Sequence, residues 1–252
     1  MIFIPEIFRT FPGVVAAQSK RIGGFSSIPY SSLNLGLTTN DLPINVRKNR
    51  EVFFNSMGIE EKNLVSSGQT HGKEILVANH SGRFQGHDAI ITDKKNLYVA
   101  VSIADCCPIL LYDKTNEVVA AVHAGWRGTV EKILKDTVLV MNKQFNSKTE
   151  NIFAFIGTCI SERSFLVDND VAEKFSSCFV SKSEFSGKYL VDLKSANHSQ
   201  LTELGVLKEN IEVSPFCTVL NNNQYFSYRK EGKESGRMLA VIGMKNHIIT
   251  KK

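Results

Sequence analysis

The middle of the chain consists of short apolar runs separated by turn-forming residues. The runs are YVAVSIA at residues 98–104, PILLYD at 108–113 and EVVAAVH at 117–123, and polar segments such as DKTN separate them. Apolar runs of this length, rich in Val and Ile and bounded by turn signals, are typical of strands buried on both faces. We therefore predict three buried strands that belong to one sheet.

Other segments place apolar residues three to four positions apart, which indicates helices. The helices predicted in this way lie in residues 44–58, 129–145 and 169–179. Residues 189–205 are predicted as a strand followed by a helix that ends at Gly205. Further strands are predicted at residues 75–79, 88–92, 151–157, 211–216, 225–229 and 238–244. This irregular alternation predicts an α/β or α+β fold with a mixed β-sheet, in one domain over residues 1–252.

Composition narrows the class of protein. The chain has 252 residues, of which 42% are apolar and 22% charged, as in an ordinary soluble globular protein with a sizeable core. The net charge of +5 comes from scattered basic residues, so we expect a small anionic ligand such as phosphate rather than a nucleic acid. The N-terminal residues lack the pattern of a signal peptide, and no apolar run approaches a membrane span, so we expect a cytoplasmic protein without membrane contact.

Three side chains stand out as metal ligands. His71 lies in the polar turn QTHG, Cys106 lies between two apolar runs in ADCCPILL, and His123 ends the next run. The chain between Cys106 and His123 is long enough to go out and back, which brings both to one edge of a sheet. Two imidazoles and one thiolate suit a divalent ion, above all zinc, and leave a fourth position open. Asp105 would orient a ligating His or accept a proton.

The same residues permit other interpretations. The spacing matches no short metal signature, so buried structural histidines and an inert thiol are the alternative. Cys106 and His123 would also serve as nucleophile and base of a metal-independent hydrolase or deamidase. A structural zinc site, closed by a fourth ligand such as Cys107, would indicate a binding module instead of an enzyme. An odd total of five cysteines argues for free thiols or metal ligands rather than a disulfide framework.

The segment HAGWRGT at residues 123–129 connects a predicted strand to a predicted helix. Gly125 and Gly128 permit close approach of a ligand to the backbone, and Arg127 adds a fork of donors that fits phosphate or carboxylate. We predict an anion site here at the start of the helix. The alternative is an ordinary strand-to-helix turn in which Trp126 packs on the sheet. Arg50, Arg229 and Arg237 are further candidates for anion contacts or are solvated surface residues.

A set of motifs resembles one known family along nearly the whole chain, from about residue 12 to residue 245. The motifs occur in the family's order and are GGFSSIPYSSLNLG, NVRKNR, QTHG, DAIITD, ADCCPILL, HAGWRGT, IGTCIS and YFSYRKEGKESGRMLAVIG. They resemble the laccase-domain, or YfiH-like, family, once described as polyphenol oxidases and now regarded as purine nucleoside phosphorylases. The resemblance implies a layered α/β sandwich with a mixed sheet.

The resemblance also implies a function and a site. Family members bind one zinc per chain, and the matching positions here are His71, Cys106 and His123. The implied activity is phosphorolysis of adenosine, inosine and methylthioadenosine, with adenosine deamination beside it, in a monomer or small homo-oligomer. The expected catalytic residues are Cys106, Asp105 and Arg127. The expected substrate and phosphate contacts are Arg50, Arg127, Arg229, Arg237 and Asn34.

Two points stand against a simple transfer of the family's properties. Where members often have a Cys-Cys-Tyr-Glu run, this chain has Glu162, Arg163, Ser164 and Phe165, which puts the shape of the pocket in question. A copper-dependent polyphenol oxidase, as the older family name suggests, would need several closely spaced His pairs. The chain has no His-x-His pair, so copper is the less favoured metal.

Overall fold

The computed structural model describes residues 1–184 and 186–246. The strands are β1 Ile2–Phe3, β2 Val14–Ser19, β3 Leu64–Gly68, β4 Ile75–Val77, β5 Gly82–Gln85, β6 Ala89–Thr92, β7 Tyr98–Ile103, β8 Cys107–Asp113, β9 Val118–Ala124, β10 Ile152–Ile156, β11 Leu166–Val167, β12 Val180–Lys182, β13 Tyr189–Val191, β14 Ile211–Val213 and β15 Met238–Met244. The helices are α1 Pro43–Ser56, α2 Trp126–Val130, α3 Ile133–Phe145, α4 Asn169–Ala172, α5 Leu193–Glu203 and α6 Tyr228–Glu231. Across both described ranges, every helix falls short of the length and apolarity that a membrane crossing requires.

Two six-stranded mixed sheets form the body of the molecule. The first sheet has the order β1-β2-β15-β7-β3-β5, and the second has the order β14-β10-β8-β9-β6-β4. The prediction that the three central apolar runs share one sheet was wrong, because β7 belongs to the first sheet while β8 and β9 pair in the second. The chain changes sheets between Ile103 and Cys107, where Asp105 has a positive φ of 89°.

The two sheets pack face to face, with helices on their outer faces. Alternate residues of β7 and β15, such as Val101 and Ile242, pack between the sheets with Leu110 of β8. Helix α1 covers the outer face of the first sheet, and α3 lies with its apolar side on the outer face of the second. Strands of both sheets are thus buried on two faces, which explains their unbroken apolar runs. The predicted layered α/β sandwich with mixed sheets is confirmed.

A small three-stranded sheet, β11-β13-β12, has an apolar core of its own. The helix predicted at residues 169–179 is only the single turn of α4, and the remainder of that segment leads into β12. The strand predicted at residues 225–229 is also wrong. Ser227 accepts a hydrogen bond from the Lys230 backbone N–H and so starts the short helix α6 there.

The helix predicted at residues 129–145 is divided into two. Lys132 adopts a left-handed conformation with φ of 62°, which ends α2 and lets α3 begin in a new direction. Periodicity alone did not reveal the break, because the apolar positions on either side keep helical spacing. Helix α2 therefore has only five residues and contributes a small dipole to the anion site predicted at its start.

Candidate active site

A cavity of about 670 Å³ opens where strands of the two sheets end, and it continues along the outer face of the first sheet. This volume lies within the range of small-molecule binding sites. Its wall includes all three predicted metal ligands, His71, Cys106 and His123. Five arginines also line it, namely Arg50, Arg83, Arg127, Arg229 and Arg237. The only carboxylate in the described lining is Asp105, so the cavity is strongly cationic.

Strand pairing and two strained backbone positions bring the three ligands together. His123 lies near the end of β9, directly opposite Pro108 of β8, so Cys106 just before β8 reaches the same sheet edge. This is the juxtaposition that the sequence predicted. His71 comes from the turn after β3, where its positive φ of 60° directs the chain back toward the other two.

The donor atoms of His71, Cys106 and His123 all lie within 4.8 Å of one another. A tetrahedral zinc ion with bonds of about 2.0 to 2.3 Å to N and S can bridge such a triangle after a small contraction. His71 is exposed, Cys106 is half-buried and His123 is buried, so the triangle faces the cavity on one side. The residues therefore fit a divalent metal. Cys107 belongs to the apolar core beneath the second sheet, and the described residues supply three ligands, which leaves one position open.

Asp88, at the start of β6, organises two of the three ligands, and the sequence analysis missed it. Its Oδ1 lies 2.8 Å from Nδ1 of His123 and accepts from the backbone N–H of His71. Its Oδ2 accepts from the backbone N–H groups of Thr70 and Gly72. A carboxylate at Nδ1 leaves Nε2 of the imidazole as the metal-binding atom. In the sequence, Asp88 shows only as an aspartate immediately before a predicted strand, in HDAIIT, and its burial becomes visible in the fold.

In the metal-free site, the charged forms of Cys106, His123 and Asp88 stabilise one another. Burial favours the neutral thiol of Cys106, but the imidazoles of His123 and His71 outweigh it and lower the pKa of the thiol to about 6. Burial likewise opposes the imidazolium of His123, yet the Cys106 thiolate and the Asp88 carboxylate raise its pKa to about 9. Burial would raise the pKa of Asp88, and hydrogen bonds from His123 and the Gly72 backbone instead lower it to about 2. At neutral pH the site is therefore a thiolate–imidazolium–carboxylate series.

Asp105 does not orient a ligating histidine, which corrects one of the roles suggested from sequence. One carboxylate oxygen accepts from the hydroxyl of Thr218, and the other accepts from the backbone N–H of Arg229 at 2.6 Å. Its backbone oxygen accepts from the N–H of Ile160. Asp105 therefore joins the turn that carries Cys106 to two distant segments of the cavity wall.

The segment HAGWRGT is part of the cavity and not merely a turn. A Cβ added at Gly125 would lie 3.1 Å from the sulfur of Cys106 and 3.4 Å from Cδ2 of His71. The side chains of Cys106 and His71 therefore lie close to the glycine backbone, where a larger residue would crowd them. Arg127 is exposed and stacks on the indole of Trp126, with 4.3 Å between Cζ and the ring centroid. The indole packs against the core of the small sheet, beside Phe165.

Three other arginines line the cavity and also donate hydrogen bonds to neighbouring residues of the protein. Arg50 donates to Glu61 and to the carbonyl oxygen of Leu35. Arg229 donates to the carbonyl of Leu166 and stacks on Phe165. Arg237 donates to the carbonyl of Ser235, stacks on Tyr228, and has a guanidinium pKa lowered by burial. Arg83, on the edge strand β5, also lines the cavity and was not selected from the sequence.

Asn34 lies outside the described cavity lining, unlike the other residues expected to contact substrate. Its amide nitrogen donates to Thr39 and Asp41, and its Oδ1 accepts from the backbone N–H groups of Gly36 and Arg237. Asn34 thus fixes the backbone from which Arg237 projects. In the segment that departs from the family pattern, Phe165 lines the cavity.

Comparisons with known proteins find relatives along almost the whole chain. A model of the family described as multi-copper polyphenol oxidoreductase laccase matches residues 15–245. A purine nucleoside phosphorylase of Bacteroides thetaiotaomicron is 36% identical over 253 residues, covering 94% of this chain and 94% of that protein. The purine nucleoside phosphorylase YfiH of Escherichia coli K12 is 36% identical over 238 residues, covering 91% and 93%.

Solved structures show the same fold. The structure of the hypothetical protein YfiH of Bacillus licheniformis has a TM-score of 0.91 at 28% identity and covers 97% of this chain and 96% of that one. The structure of YlmD from Geobacillus stearothermophilus has a TM-score of 0.89 at 31% identity and covers 94% of each chain. With a family model matched over most of its length, the chain belongs to the multi-copper polyphenol oxidoreductase laccase family of YfiH-like proteins.

Proposed function

We propose that the protein is a metal-dependent purine nucleoside phosphorylase. The observation that carries this proposal is the combination, in one cavity, of the His71–Cys106–His123 triangle with several guanidinium groups and three aromatic side chains, Trp126, Phe165 and Tyr228. Guanidinium groups bind phosphate with charge-assisted hydrogen bonds, and aromatic faces receive a purine. Relatives that match along almost the whole chain carry the same name.

In the proposed reaction, an oxygen of inorganic phosphate attacks C1′ of the ribose. The bond between C1′ and the purine nitrogen breaks, its electron pair stays with the purine, and a proton completes the free base. Arg127, Arg229 and Arg237 would hold the phosphate beside the metal triangle, because all three line the cavity that contains it. Holding two anionic or polar reactants in a fixed geometry supplies a large part of the rate enhancement in such a reaction.

The protein's own residues would also hold the metal. His71, Cys106 and His123 would bind one zinc ion, which supplies Lewis acidity to the bound substrate. Asp88 keeps the His123 imidazole in the orientation that presents Nε2. We assign Asp105 a positioning role, since its carboxylate ties the Cys106 turn to the backbone of Arg229. The preferred substrates would be adenosine, inosine and methylthioadenosine.

A second activity, adenosine deamination, is favoured by the open position of the metal triangle. Water would add at C6 of adenosine and ammonia would leave, giving inosine. A metal-independent Cys–His hydrolase is the main competing proposal, because the Cys106 pKa of about 6 also suits a nucleophile. A multi-copper oxidase has less support, since the described residues form a single group of three possible ligands.

Product analysis tests the reaction class. Adenosine is incubated with zinc-loaded protein, with and without inorganic phosphate, and the products are separated for the wild type and for Cys106→Ala. We expect adenine and ribose 1-phosphate, formed only with phosphate and lost in the variant. Inosine as the sole product, independent of phosphate, would replace the phosphorylase with a deaminase. No turnover of adenosine, inosine or methylthioadenosine by zinc-loaded protein would reject both.

A further inference from the structure

The cavity extends well beyond the metal triangle, along the outer face of the first sheet. Strand residues alternate between faces: Val65 and Val101 point between the sheets, whereas Leu64 points toward α1. Ser66 and Ser102, one residue beyond Val65 and Val101, therefore belong to the outer face, and both line the cavity. The cavity thus has a metal end at the strand termini and a second end beside α1 and the edge strand β5.

Arg83 marks this second end. It lies in register with Ser66 on the parallel neighbouring strand, and Phe84 after it packs between the sheets, so Arg83 also faces outward. Ser66 lies two residues before the end of β3, and His71 lies three residues beyond that end. At about 3.3 Å per strand residue, Arg83 lies about 7 Å back along the sheet from the end of β3, after which the chain leads to His71.

Arg83 is available to a ligand in a way that most other arginines of the cavity are not. Its side chain is exposed, and its guanidinium makes no hydrogen bond or ion pair with any residue in the part of the chain that the structure describes. Arg50 projects from α1 into the same cavity and is only 4% exposed. Its Nε and Nη1 donate to Glu61 and Leu35, while Nη2 donates to none of the described residues. Two guanidinium groups and the Ser66 hydroxyl thus offer unused donors at one end of the cavity.

We propose that Arg83, Arg50 and Ser66 form a second anion subsite that binds a phosphate group on the 5′ oxygen of the substrate's ribose. This inference rests on the proposed phosphorylase function and adds a second substrate class, purine nucleoside 5′-monophosphates, to the nucleosides named above. The subsite lies beside α1 and β5, whereas the metal triangle lies at the strand ends. A 5′-phosphate extends away from the purine and from the bond that breaks.

The bonds that form and break are the same as in the proposed reaction of the nucleosides. Inorganic phosphate attacks C1′ of adenosine 5′-monophosphate, the bond to the purine nitrogen breaks, and the purine leaves with a proton. The products are adenine and ribose 1,5-bisphosphate. The 5′-phosphate takes no part in bond making, so Arg83 contributes to substrate binding and to specificity.

The test compares two substrates in three proteins. At saturating inorganic phosphate, kcat/KM is measured for adenosine and for adenosine 5′-monophosphate in the wild type, in Arg83→Gln, and in the control Arg47→Gln on the exposed side of α1. We expect the ratio of kcat/KM for the monophosphate to that for adenosine to fall about tenfold to a hundredfold in Arg83→Gln, the loss of a charge-assisted contact. Arg83→Lys should restore part of it, and Arg47→Gln should leave the ratio unchanged.

Two results would overturn the subsite. A raised KM for inorganic phosphate with adenosine as substrate would place the attacking phosphate at Arg83, and an unchanged substrate ratio would remove Arg83 from monophosphate binding. Calorimetric binding of adenosine 5′-monophosphate to the wild type and Arg83→Gln separates this proposal from the reaction class. If neither substrate is turned over, the phosphorylase proposal fails, while weaker binding to Arg83→Gln still supports the subsite and equal binding rejects it.

Discussion

The Nδ1 atom of His123 lies 2.8 Å from Oδ1 of Asp88, and both side chains are buried. The same carboxylate accepts hydrogen bonds from the backbone of the turn that carries His71. One aspartate thereby fixes the ring orientation of one metal ligand and the backbone position of another. The two histidine rings consequently meet edge to face, at an interplanar angle of 75° and with 4.9 Å between their centroids.

Asp88→Asn should weaken metal binding about tenfold to a hundredfold, the usual effect of losing a carboxylate behind a ligating histidine. In the variant, the amide NH2 group of Asn would face backbone N–H groups that donate to a carboxylate oxygen in the wild type. The loss of those hydrogen bonds would also loosen the turn that carries His71. Zinc affinity, measured by competition with a chromophoric chelator, checks this. Asp93→Asn, one strand length away at the surface, is the matched control and should leave the affinity unchanged. Equal affinities of Asp88→Asn and wild type would contradict the assigned role.

The apparent metal affinity should rise with pH between about pH 6 and pH 9. In the metal-free protein, Cys106 loses its proton near pH 6 and His123 loses its proton near pH 9. Between these values one proton must leave His123 when a metal binds, so the apparent affinity should rise about tenfold per pH unit and level off above pH 9. Chelator competition across this range gives the slope. A pH-independent affinity between pH 6 and 9 would show that the imidazolium is not present.

Gly125→Ala should weaken metal binding without unfolding the protein. Gly125 has φ of −67° and ψ of 177°, which alanine adopts without strain, so the effect comes from crowding of Cys106 and His71 alone. Overpacking of this kind costs about 1 to 3 kcal/mol, which corresponds to a loss of about tenfold or more in affinity. Gly125→Ser should be worse. Thermal unfolding of the metal-free variants separates crowding of the site from damage to the fold.

The grouping of His71, Cys106 and His123 was predictable from the sequence, whereas the role of Asp88 was not. His71, Cys106 and His123 each border an apolar run or a glycine, so their residue types stand out in a linear pattern. Asp88 is distinguished by its burial and by five hydrogen-bond partners contributed by a turn and a strand remote in sequence. Such a role depends on which strands become neighbours.

The apolar pattern likewise could not show which of the two sheets each strand joins. A strand buried on both faces gives the same continuous run in either sheet, and the crossing between sheets depends on the backbone conformation at Asp105. Lys132, whose left-handed conformation divides the predicted helix, could not be recognised either, because the apolar residues on both sides of it keep helical spacing. The α/β class followed from the alternation of predicted strands and helices, and the layered sandwich followed from the resemblance. The division into two sheets required the three-dimensional structure.

Arg127→Gln and Arg229→Gln should each raise the KM for inorganic phosphate about tenfold to a hundredfold with adenosine as substrate, because each removes a charge-assisted donor. The exposed Arg127 guanidinium stacks on Trp126 and donates no hydrogen bond to the described residues, so its replacement should leave the fold intact. Arg47→Gln serves as the exposed control. Steady-state kinetics with varied phosphate provides the readout. An unchanged phosphate KM in both variants would remove these two arginines from the phosphate site.

The most direct test of the whole account is the metal dependence of ribose 1-phosphate formation. The protein is stripped with a chelator, assayed with adenosine and phosphate, and assayed again after stoichiometric zinc is restored, with Cys106→Ala treated in parallel. We predict that activity disappears with the metal, returns with zinc in the wild type, and does not return in the variant. Full activity in the stripped wild type, abolished by thiol alkylation, would contradict the account and establish a Cys–His enzyme in its place.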